Sequence, residues 1–434
     1  MWNNNCFYLI FVLLMLSLIS GCTDKSEDVT EPLKFEPVKG QFVKDAINIG
    51  SIVNVPSVRN AVLLASEQIN QAGGVLGRDL NPIVFISKNT EDAVKLATDL
   101  LAYDIKLINV SYSSRSKAVS ALTIPKNIPL ISESATSTFF TDFNDQDMYF
   151  RMVPSDVIQS QILANLALEQ GFKTAVTVHN ETDQYGETLI ALFKINFEEQ
   201  GGKVLDQIAV PFSVEQGFDE YLKPIQNIAP DVVLDVILEA DNSANFVNEA
   251  FAFGVTSKFL FPDASAGITS FANNIANVAN VKGALGTAPG FGFSTNPELI
   301  FFERTYQQQF GVSPDAFDVN GYDFVMISAL AIEHAGLKNN TDEPTGIMVR
   351  DSLRLVMNSP GIKVGPSEIS RALELIRSGQ DIDYSGSYGD NDWDANGDVV
   401  GEITYNILSI DELTKQWKTI SQQQVFVPYT NLDN

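Results

Sequence analysis

Apolar residues follow two alternating patterns along most of the chain. Runs of six to eight residues that are rich in Val and Ile, such as INIGSIV, IKLINV and DVVLDVIL, indicate buried strands. In the segments between them, apolar residues recur every three or four positions, which is typical of amphipathic helices. The repeated alternation of strand and helix predicts parallel sheets that are covered by helices.

Capping residues and glycines predict where several helices begin and end. The segment from Val58 to Ala72 has helical spacing, and Gly73-Gly74 is expected to end it. The segment from Thr90 to Leu101 predicts a helix with Thr90 as its N-cap. In the next round of alternation, the spacing predicts further helices over 156–170, 185–199, 216–227 and 243–253.

The alternation occurs in two successive rounds, which implies two doubly wound lobes. A third, mostly helical stretch follows, and the chain ends in short β-like runs. We expect the late helices to complete the first lobe and the last strands to complete the second. The predicted segments are a tether at 23–45, lobe I at 46–152 plus 286–385, lobe II at 153–285 plus 386–424, and a C-terminal tail at 425–434.

The N-terminus has the features of an export signal. Residues Phe7 to Ile19 form an apolar run of 13 residues, which is too short for a transmembrane helix of about 20 residues. The sequence Ile19-Ser20-Gly21-Cys22 that follows resembles the bacterial lipoprotein signal, although no Lys or Arg precedes the run. The resemblance implies a signal peptide at 1–22 that ends at a lipidated Cys22. The alternative is an ordinary secretory signal with an incidental cysteine.

Composition removes several function classes. A chain of 434 residues is too long for one ordinary core, and its formal charge of −26 disfavours binding to a phosphate backbone, so we expect no nucleic-acid partner. Both cysteines lie in the first 22 residues and the chain has two histidines, which leaves few candidates for nucleophilic or metal catalysis. No Gly-x-Ser-x-Gly, His-Glu-x-x-His or Walker motif occurs. We expect no enzymatic activity, no cofactor and no metal.

One acidic segment resembles half of a calcium-binding loop. Residues 392–398 (DWDANGD) have the acidic positions and the glycine of an EF-hand loop. The twelfth position is Ile403, where that loop requires a bidentate Glu. We therefore predict a tight turn between strands.

Polar side chains cluster in the loops that follow the predicted strands. In doubly wound sheets, ligands bind at the carboxyl ends of the strands. These loops are rich in Ser, Thr, Asp, Asn and Tyr, which predicts a lining of hydrogen-bonding groups without a set of catalytic groups. The loops are 111–116, 132–138, 179–185, 239–243 and 263–267.

Seven segments occur in an order and spacing that resemble one known family. They are AVLLASEQINQAGGVLGRDL, SYSSRSKAV, IPLISESATS, YFRMVPSD, DQYGE, KFLFPDASAG and DIDYSGSYGDNDWDANGDVVGEITYNI. From about Ala46 to Ile420, the chain resembles the type I periplasmic binding proteins, specifically the branched-chain amino-acid-binding (leucine/isoleucine/valine) group of ABC transporter substrate-binding lipoproteins. The resemblance implies an α/β fold of two doubly wound parallel-sheet lobes joined by a three-strand hinge. It also implies that the lobes close on a small ligand.

The resemblance also implies a set of ligand-binding residues. They are Ser113, Ser134, Ala135, Thr136, Tyr185 and Asp263. The hydroxyls of Ser113 and Thr136, with the backbone around Ser134 and Thr136, would bind the polar head of the ligand. Tyr185 would close the pocket from lobe II, and Asp263 would pair with a ligand ammonium. Alternatively, Ser113 and Ser114 cap the next helix and Thr136 is an N-cap for the segment that follows it. In the same alternative, Tyr185 is a surface packing residue and Asp263 is a turn residue. Glu133 is expected to point outward.

The resemblance implies a monomeric, periplasmic protein that is lipid-anchored to the inner or the outer membrane. It also implies delivery of the ligand, expected to be an amino acid, to an ABC permease. At 239–244 the chain reads EADNSA, where amino-acid-binding relatives often have an aromatic residue. The resemblance therefore does not identify the residues that would contact the side chain of the ligand. One alternative is a receptor of the same fold for an amide, urea or an aromatic acid. Another is a regulatory envelope lipoprotein without a transported ligand.

Overall fold

The computed structural model describes residues 41–290 and 296–428. The predicted signal peptide with Cys22, residues 23–40 of the predicted tether and residues 429–434 of the predicted tail lie outside this range. The strands are β1 (Ile47–Val53), β2 (Leu80–Ile86), β3 (Ile105–Val110), β4 (Leu130–Ser132), β5 (Tyr149–Arg151), β6 (Thr174–Asn180), β7 (Lys203–Val210), β8 (Val232–Val236), β9 (Lys258–Phe261), β10 (Leu285–Pro289), β11 (Ile362–Val364), β12 (Ile382–Tyr384), β13 (Asp392–Trp393), β14 (Val399–Ile410) and β15 (Trp417–Val427). The helices are α1 (Pro56–Gln71), α2 (Thr90–Leu100), α3 (Ser113–Thr123), α4 (Asp156–Glu169), α5 (Gln184–Glu199), α6 (Asp219–Ile228), α7 (Ala240–Phe253), α8 (Thr269–Asn274), α9 (Pro297–Phe310), α10 (Asp318–Asn339), α11 (Gly346–Met357) and α12 (Ile369–Arg377).

The first sheet has the strand order β2-β1-β3-β4-β5, and all of its strands are parallel. The strand β1 is buried along its whole length, as expected for a strand with neighbours in the sheet and helices above and below. The helix α10 is buried over most of its surface because it is apolar on nearly every side, and it packs against α1, α11 and α12. The late helices therefore pack on the first sheet, in lobe I.

The second sheet has the strand order β13-β14-β10-β9-β8-β6-β7, and β15 pairs with β14. Its strands β6 to β10 are parallel, whereas β14 runs antiparallel to β10 and to β15. A second apolar core lies on this sheet and includes Phe218, Phe246 and Phe261. The chain passes between the sheets after β5, after β10 and after β12. The α/β class with parallel sheets is confirmed.

The folded part begins before residue 45, where the tether was predicted to end. The Phe42 ring stacks on Tyr103 with the ring centroids 5.2 Å apart. The Asn48 side chain donates a hydrogen bond to the Val43 carbonyl (2.8 Å). These contacts fix residues 42–45 against lobe I.

Two further predicted boundaries differ from the structure. All five residues of β10, Leu285–Pro289, belong to the second sheet, because Leu285 and Gly286 pair with β9 and the remainder pairs with β14. Lobe II therefore extends to Pro289 and does not end at 285. The strand β15 continues to Val427, so the tail predicted at 425 begins inside a strand.

Local capping explains the remaining differences at helix ends. Asn89, and not Thr90, is the N-cap of α2, since its side-chain oxygen accepts a hydrogen bond from the Asp92 N–H (2.9 Å). Gly74 has a φ of +68°, and a Cβ at this position would lie 2.1 Å from the Arg78 carbonyl oxygen. The turn after α1 therefore requires glycine at 74. No helix within residues 41–290 and 296–428 is long and apolar enough to cross a membrane.

Candidate ligand-binding site

A cavity of about 700 Å³ lies where loops of the two lobes meet. Lobe I contributes the start of α1, the loops after β2, β3 and β4, and the start of α10. Lobe II contributes the start of α5 and the loops after β7, β8 and β9. The cavity therefore lies at the carboxyl ends of parallel strands in both sheets, where ligands bind in this fold class.

Four of the six predicted binding residues line this single cavity. They are Ser113 and Ser134 from lobe I and Tyr185 and Asp263 from lobe II. Ala135 and Thr136 are buried in the same loop as Ser134, but neither is among the lining residues. Their predicted contact is through backbone groups and, for Thr136, also through its hydroxyl, and it stays a prediction.

The Tyr185 hydroxyl donates a hydrogen bond to Asp263 Oδ1 (2.6 Å), and both side chains are buried. Burial raises the pKa of Asp263 to about 6, while the hydrogen bond from Tyr185 acts in the opposite direction. Asp263 is therefore fixed by a packed tyrosine, which the turn-residue alternative does not explain. A carboxyl group held in this way ionises readily beside a cation.

The start of α3 provides donors on the lobe I side of the cavity. The N-cap residue Tyr112 makes no side-chain cap, and the N–H groups of the first turn have no acceptor within the helix. The Ser113 hydroxyl accepts from the Ser137 N–H (3.2 Å), and the Ser134 hydroxyl accepts from the Tyr112 N–H (3.0 Å). Neither Ser113 nor Ser114 caps α3. The Ser134 hydroxyl donates to Glu133, so the Ser113 hydroxyl and the first-turn N–H groups of α3 are the donors that suit an anionic group such as a carboxylate.

Tyr112 has an uncommon backbone conformation at this position. Its φ is +67°, which is unfavourable for a residue with a large side chain. The Arg115 guanidinium lies 4.6 Å from the centre of the Tyr112 ring, and the Asn54 amide donates to the Tyr112 hydroxyl (2.6 Å). These contacts hold the ring in the cavity wall.

The buried Arg151 side chain stabilises the loop 132–138, which contains Ser134, Ala135 and Thr136. Arg151 Nη1 donates to the carbonyls of Thr136 (3.0 Å) and Ser137 (2.9 Å), and its Nε lies 2.7 Å from Asp398. The Asp156 N–H also donates to the Thr136 carbonyl (2.8 Å). Asp398 thereby compensates a guanidinium that is fully buried.

The structure corrects the expectation for Glu133. Its side chain is fully buried and does not point outward, because the Ser111 and Ser134 hydroxyls donate to Oε1 behind the loop. Burial raises the pKa of Glu133 to about 7.

The two lobes contact each other on both sides of the cavity. The Ser114 hydroxyl donates to Asp183 (2.7 Å) and accepts from the Gln184 N–H (2.8 Å). On the other side, the Thr269 N–H donates to Asp315 (3.2 Å). The cleft is therefore closed in this structure.

Sequence reasoning missed the contribution of α10. Asp315, Phe317 and Asp318 at its start line the cavity, although they follow no strand directly. The available signal was an acidic residue, Asp318, in the first turn of a helix whose middle, from Phe324 to Ile332, is apolar except for Ser328.

The acidic segment 392–398 forms a turn. Asp394 Oδ1 accepts hydrogen bonds from the N–H groups of Asn396 (2.8 Å) and Asp398 (3.0 Å) between β13 and β14. Among the described residues, no three His, Cys, Asp or Glu side chains form a group that could hold a metal ion.

A family model described as periplasmic binding protein matches residues 51–364. The chain belongs to the periplasmic binding protein family. It is 25% identical over 309 residues to the leucine-, isoleucine-, valine-, threonine- and alanine-binding protein of Pseudomonas aeruginosa, covering 66% of this chain and 79% of that protein.

Solved structures of the family share the fold. The leucine-binding protein LivK from Thermotoga maritima has a TM-score of 0.70 at 19% identity, over 87% of this chain and 98% of that one. A solute-binding protein of an ABC transporter from R. palustris, in complex with benzoate, has a TM-score of 0.69 at 16% identity, over 88% and 98%. The predicted resemblance to the branched-chain amino-acid-binding group is confirmed.

Proposed function

We propose that this periplasmic binding protein captures an amino acid in the cavity between its lobes and delivers it to an ABC-type permease. The observation that carries the proposal is the placement of complementary groups on opposite walls. Ser113, Ser134 and the start of α3 lie on the lobe I side, and the hydrogen-bonded pair of Tyr185 and Asp263 lies on the lobe II side.

This arrangement suits a zwitterion. Removing a carboxylate and an ammonium from water costs several kcal/mol unless each finds a partner. The Ser113 hydroxyl and the N–H groups at the start of α3 would receive the ligand carboxylate, and Asp263 would receive the ammonium. Since the two sets belong to different lobes, the ligand makes both contacts only when the cleft is closed. Closure on the ligand follows from that difference in contacts.

A second candidate ligand is an aromatic carboxylate. Benzoate is the ligand in the complex of the R. palustris protein, and a carboxylate alone would also suit the start of α3. In this chain, Asp263 would then face a ligand without an ammonium. An anionic ligand gains nothing from that carboxyl group, so we favour the amino acid.

Calorimetry with the purified protein tests the proposal. Titration with the common L-amino acids, with benzoate and with 3,4-dihydroxybenzoate as separate ligands should give saturable heat for at least one amino acid. Binding of benzoates and of no amino acid would instead support an aromatic carboxylate as the ligand. An absence of binding in every titration would contradict both.

We further propose that the protein is a periplasmic monomer anchored through lipid on Cys22, which would keep it beside a permease. Several acyl chains anchor firmly, because each buried CH₂ contributes about 0.8 kcal/mol.

A further inference from the structure

The cavity wall is unusually acidic even for this chain. Of its 24 lining residues, six are Asp or Glu and one is Lys, whereas the whole chain has 54 acidic residues among 434. The acidic residues are Glu215, Glu239, Asp241, Asp263, Asp315 and Asp318. Glu239 is paired with Arg115 at 2.9 Å, and Lys88 is the lining cation, so the wall keeps an excess of negative charge.

Two of these carboxylates lie close together at the start of α10. The Asp315 N–H donates to Asp318 Oδ2 (2.9 Å). Asp315 is half-buried, and its Oδ1 accepts from Thr269 of lobe II. Asp318 is fully buried, and its Oδ1 has no hydrogen-bond partner among the described residues.

Helix capping explains only part of this arrangement. An acidic residue in the first turn stabilises a helix through its charge, and Asp318 Oδ2 also accepts from the Asp315 N–H in the turn that precedes α10. The Ser57 and Tyr306 hydroxyls approach the Asp318 carboxyl, but the Tyr306 hydroxyl donates to the Ser57 carbonyl (3.2 Å). Neither hydroxyl provides the second oxygen with a hydrogen bond of normal geometry. A buried acceptor without a donor is unfavourable, and a cation in the cavity would compensate it.

We infer that the ligand carries a second positive charge, which lies beside Asp315 and Asp318 while its α-ammonium faces Asp263. The ligand class is therefore an amino acid with an ammonium or guanidinium side chain. This inference rests on the proposed amino-acid-binding function. Phe317 lines the same part of the wall and offers an apolar surface to the methylene groups of such a side chain. The cavity of about 700 Å³ has room for a long ligand.

Matched ligand pairs test the second charge directly. Citrulline has the length of arginine but a neutral urea group, and norleucine is lysine without its ammonium. Calorimetry on the purified protein should give at least about tenfold tighter binding for the charged member of a pair, because only that member offers a positive charge to Asp315 and Asp318.

The variants Asp315→Asn and Asp318→Asn locate the contact. Each should weaken arginine or lysine binding by roughly tenfold while changing citrulline or norleucine binding by less than about threefold. Asp206→Asn is the matched control, because it makes the same change in net charge at an exposed position on β7. Thermal unfolding of each variant verifies that it is folded.

The outcomes separate this inference from the proposed function. Equal affinities for the two members of each pair would overturn the inference that the ligand carries a second positive charge. Binding of any amino acid would still support the proposed function. A preference for the charged member that survives both variants would overturn the assignment to Asp315 and Asp318. If no amino acid binds, the proposed function fails and the inference fails with it.

Discussion

The Arg115 guanidinium of lobe I lies 2.9 Å from the Glu239 carboxylate of lobe II, at the edge of the closed cavity. Arg115 is buried and also donates to the Lys88 carbonyl (3.1 Å). Glu239 has a φ of +68°, the second large side chain in the cavity wall with an unfavourable backbone conformation. The ion pair joins the lobes across the cavity edge.

Glu239→Gln should shift the ligand-free protein toward the open state. The pair is partly exposed, so we expect it to contribute about 1 kcal/mol to closure, which corresponds to about fivefold in ligand affinity. Calorimetry measures the affinity, and small-angle scattering measures the radius of gyration with and without ligand. Glu412→Gln is the control, since Glu412 pairs with Lys282 on the exposed surface. An unchanged affinity and radius in Glu239→Gln would contradict a role in closure.

Asp263→Asn should weaken amino-acid binding strongly. The substitution keeps the size of the side chain but leaves the ligand ammonium without a counter-charge, which costs about 2–5 kcal/mol, or roughly 30-fold to over 1,000-fold in affinity. Tyr185→Phe is the companion variant, because it removes only the hydroxyl that holds Asp263 in place (2.6 Å). A change of less than about threefold in Asp263→Asn would remove this residue from the site.

Amino-acid binding should weaken below pH 6. The pKa of Asp263 is raised to about 6 by burial, and only its ionised form attracts an ammonium. Its carboxyl group interacts with the Tyr185 hydroxyl, the Gln159 side chain and the Asp156 carboxyl, and burial also raises the pKa of Asp156. The Tyr388 and Tyr405 hydroxyls are also near enough to interact with it. Because the ligand ammonium stays protonated throughout, affinity should fall by up to about tenfold per pH unit below 6. Calorimetry from pH 5 to 8 measures this slope, which should be smaller in Asp263→Asn. Any slope that remains reports Asp156 and Asp318, whose pKa values burial also raises.

The contribution of Asp235 to the free energy of unfolding should decrease as the pH rises. It lies buried in β8, where its oxygens accept from the Ile237 N–H (3.0 Å) and the Ser243 hydroxyl (2.8 Å), and burial raises its pKa to about 7. The unfolded value is about 3.9, so the native state binds the extra proton. The resulting stability is complete below pH ~4 and is lost as the pH rises through about 7.

Asp235→Asn removes this titration and keeps an acceptor for the Ile237 N–H. Urea unfolding at pH 5 and pH 8 measures the free energy of unfolding. The value for the variant minus that for the wild type should increase with pH by up to about 1.4 kcal/mol per pH unit. Asp206→Asn, at an exposed position, controls for the change in net charge. A difference between variant and wild type that does not depend on pH would show that Asp235 is ionised throughout.

Cys22→Ser should release the protein from the membrane or leave its signal uncut. The reason is that the apolar run before Ser20-Gly21 would direct acylation to this thiol. Intact mass measurement of the membrane form should show acyl chains on Cys22. An unmodified mature N-terminus would instead support an ordinary secretory signal.

Periodicity was sufficient to predict the fold, but it could not place every binding residue. The pairing of Tyr185 with Asp263 joins the start of α5 to the loop after β9, 78 positions apart, and the order of family-like segments indicated both residues. Asp318 was missed because an acidic residue at a helix start is ordinarily a cap. Glu133 was misplaced because nothing in its local sequence shows that two serine hydroxyls would bury it. Lobe boundaries were displaced by a few residues, since strand pairing and not composition determines where β10 and β15 end.

Arg151 restrains the backbone of the loop 132–138. Its guanidinium binds the carbonyls of Thr136 and Ser137 at the point where the chain leaves lobe I, and it is paired with Asp398 just before β14. The loop is thereby preorganised, so that binding a ligand requires little ordering of its backbone. The entropic cost of capture then falls on the rigid-body rotation of the lobes, so mutations in the segments that connect the two sheets, after β5, β10 and β12, should also alter affinity.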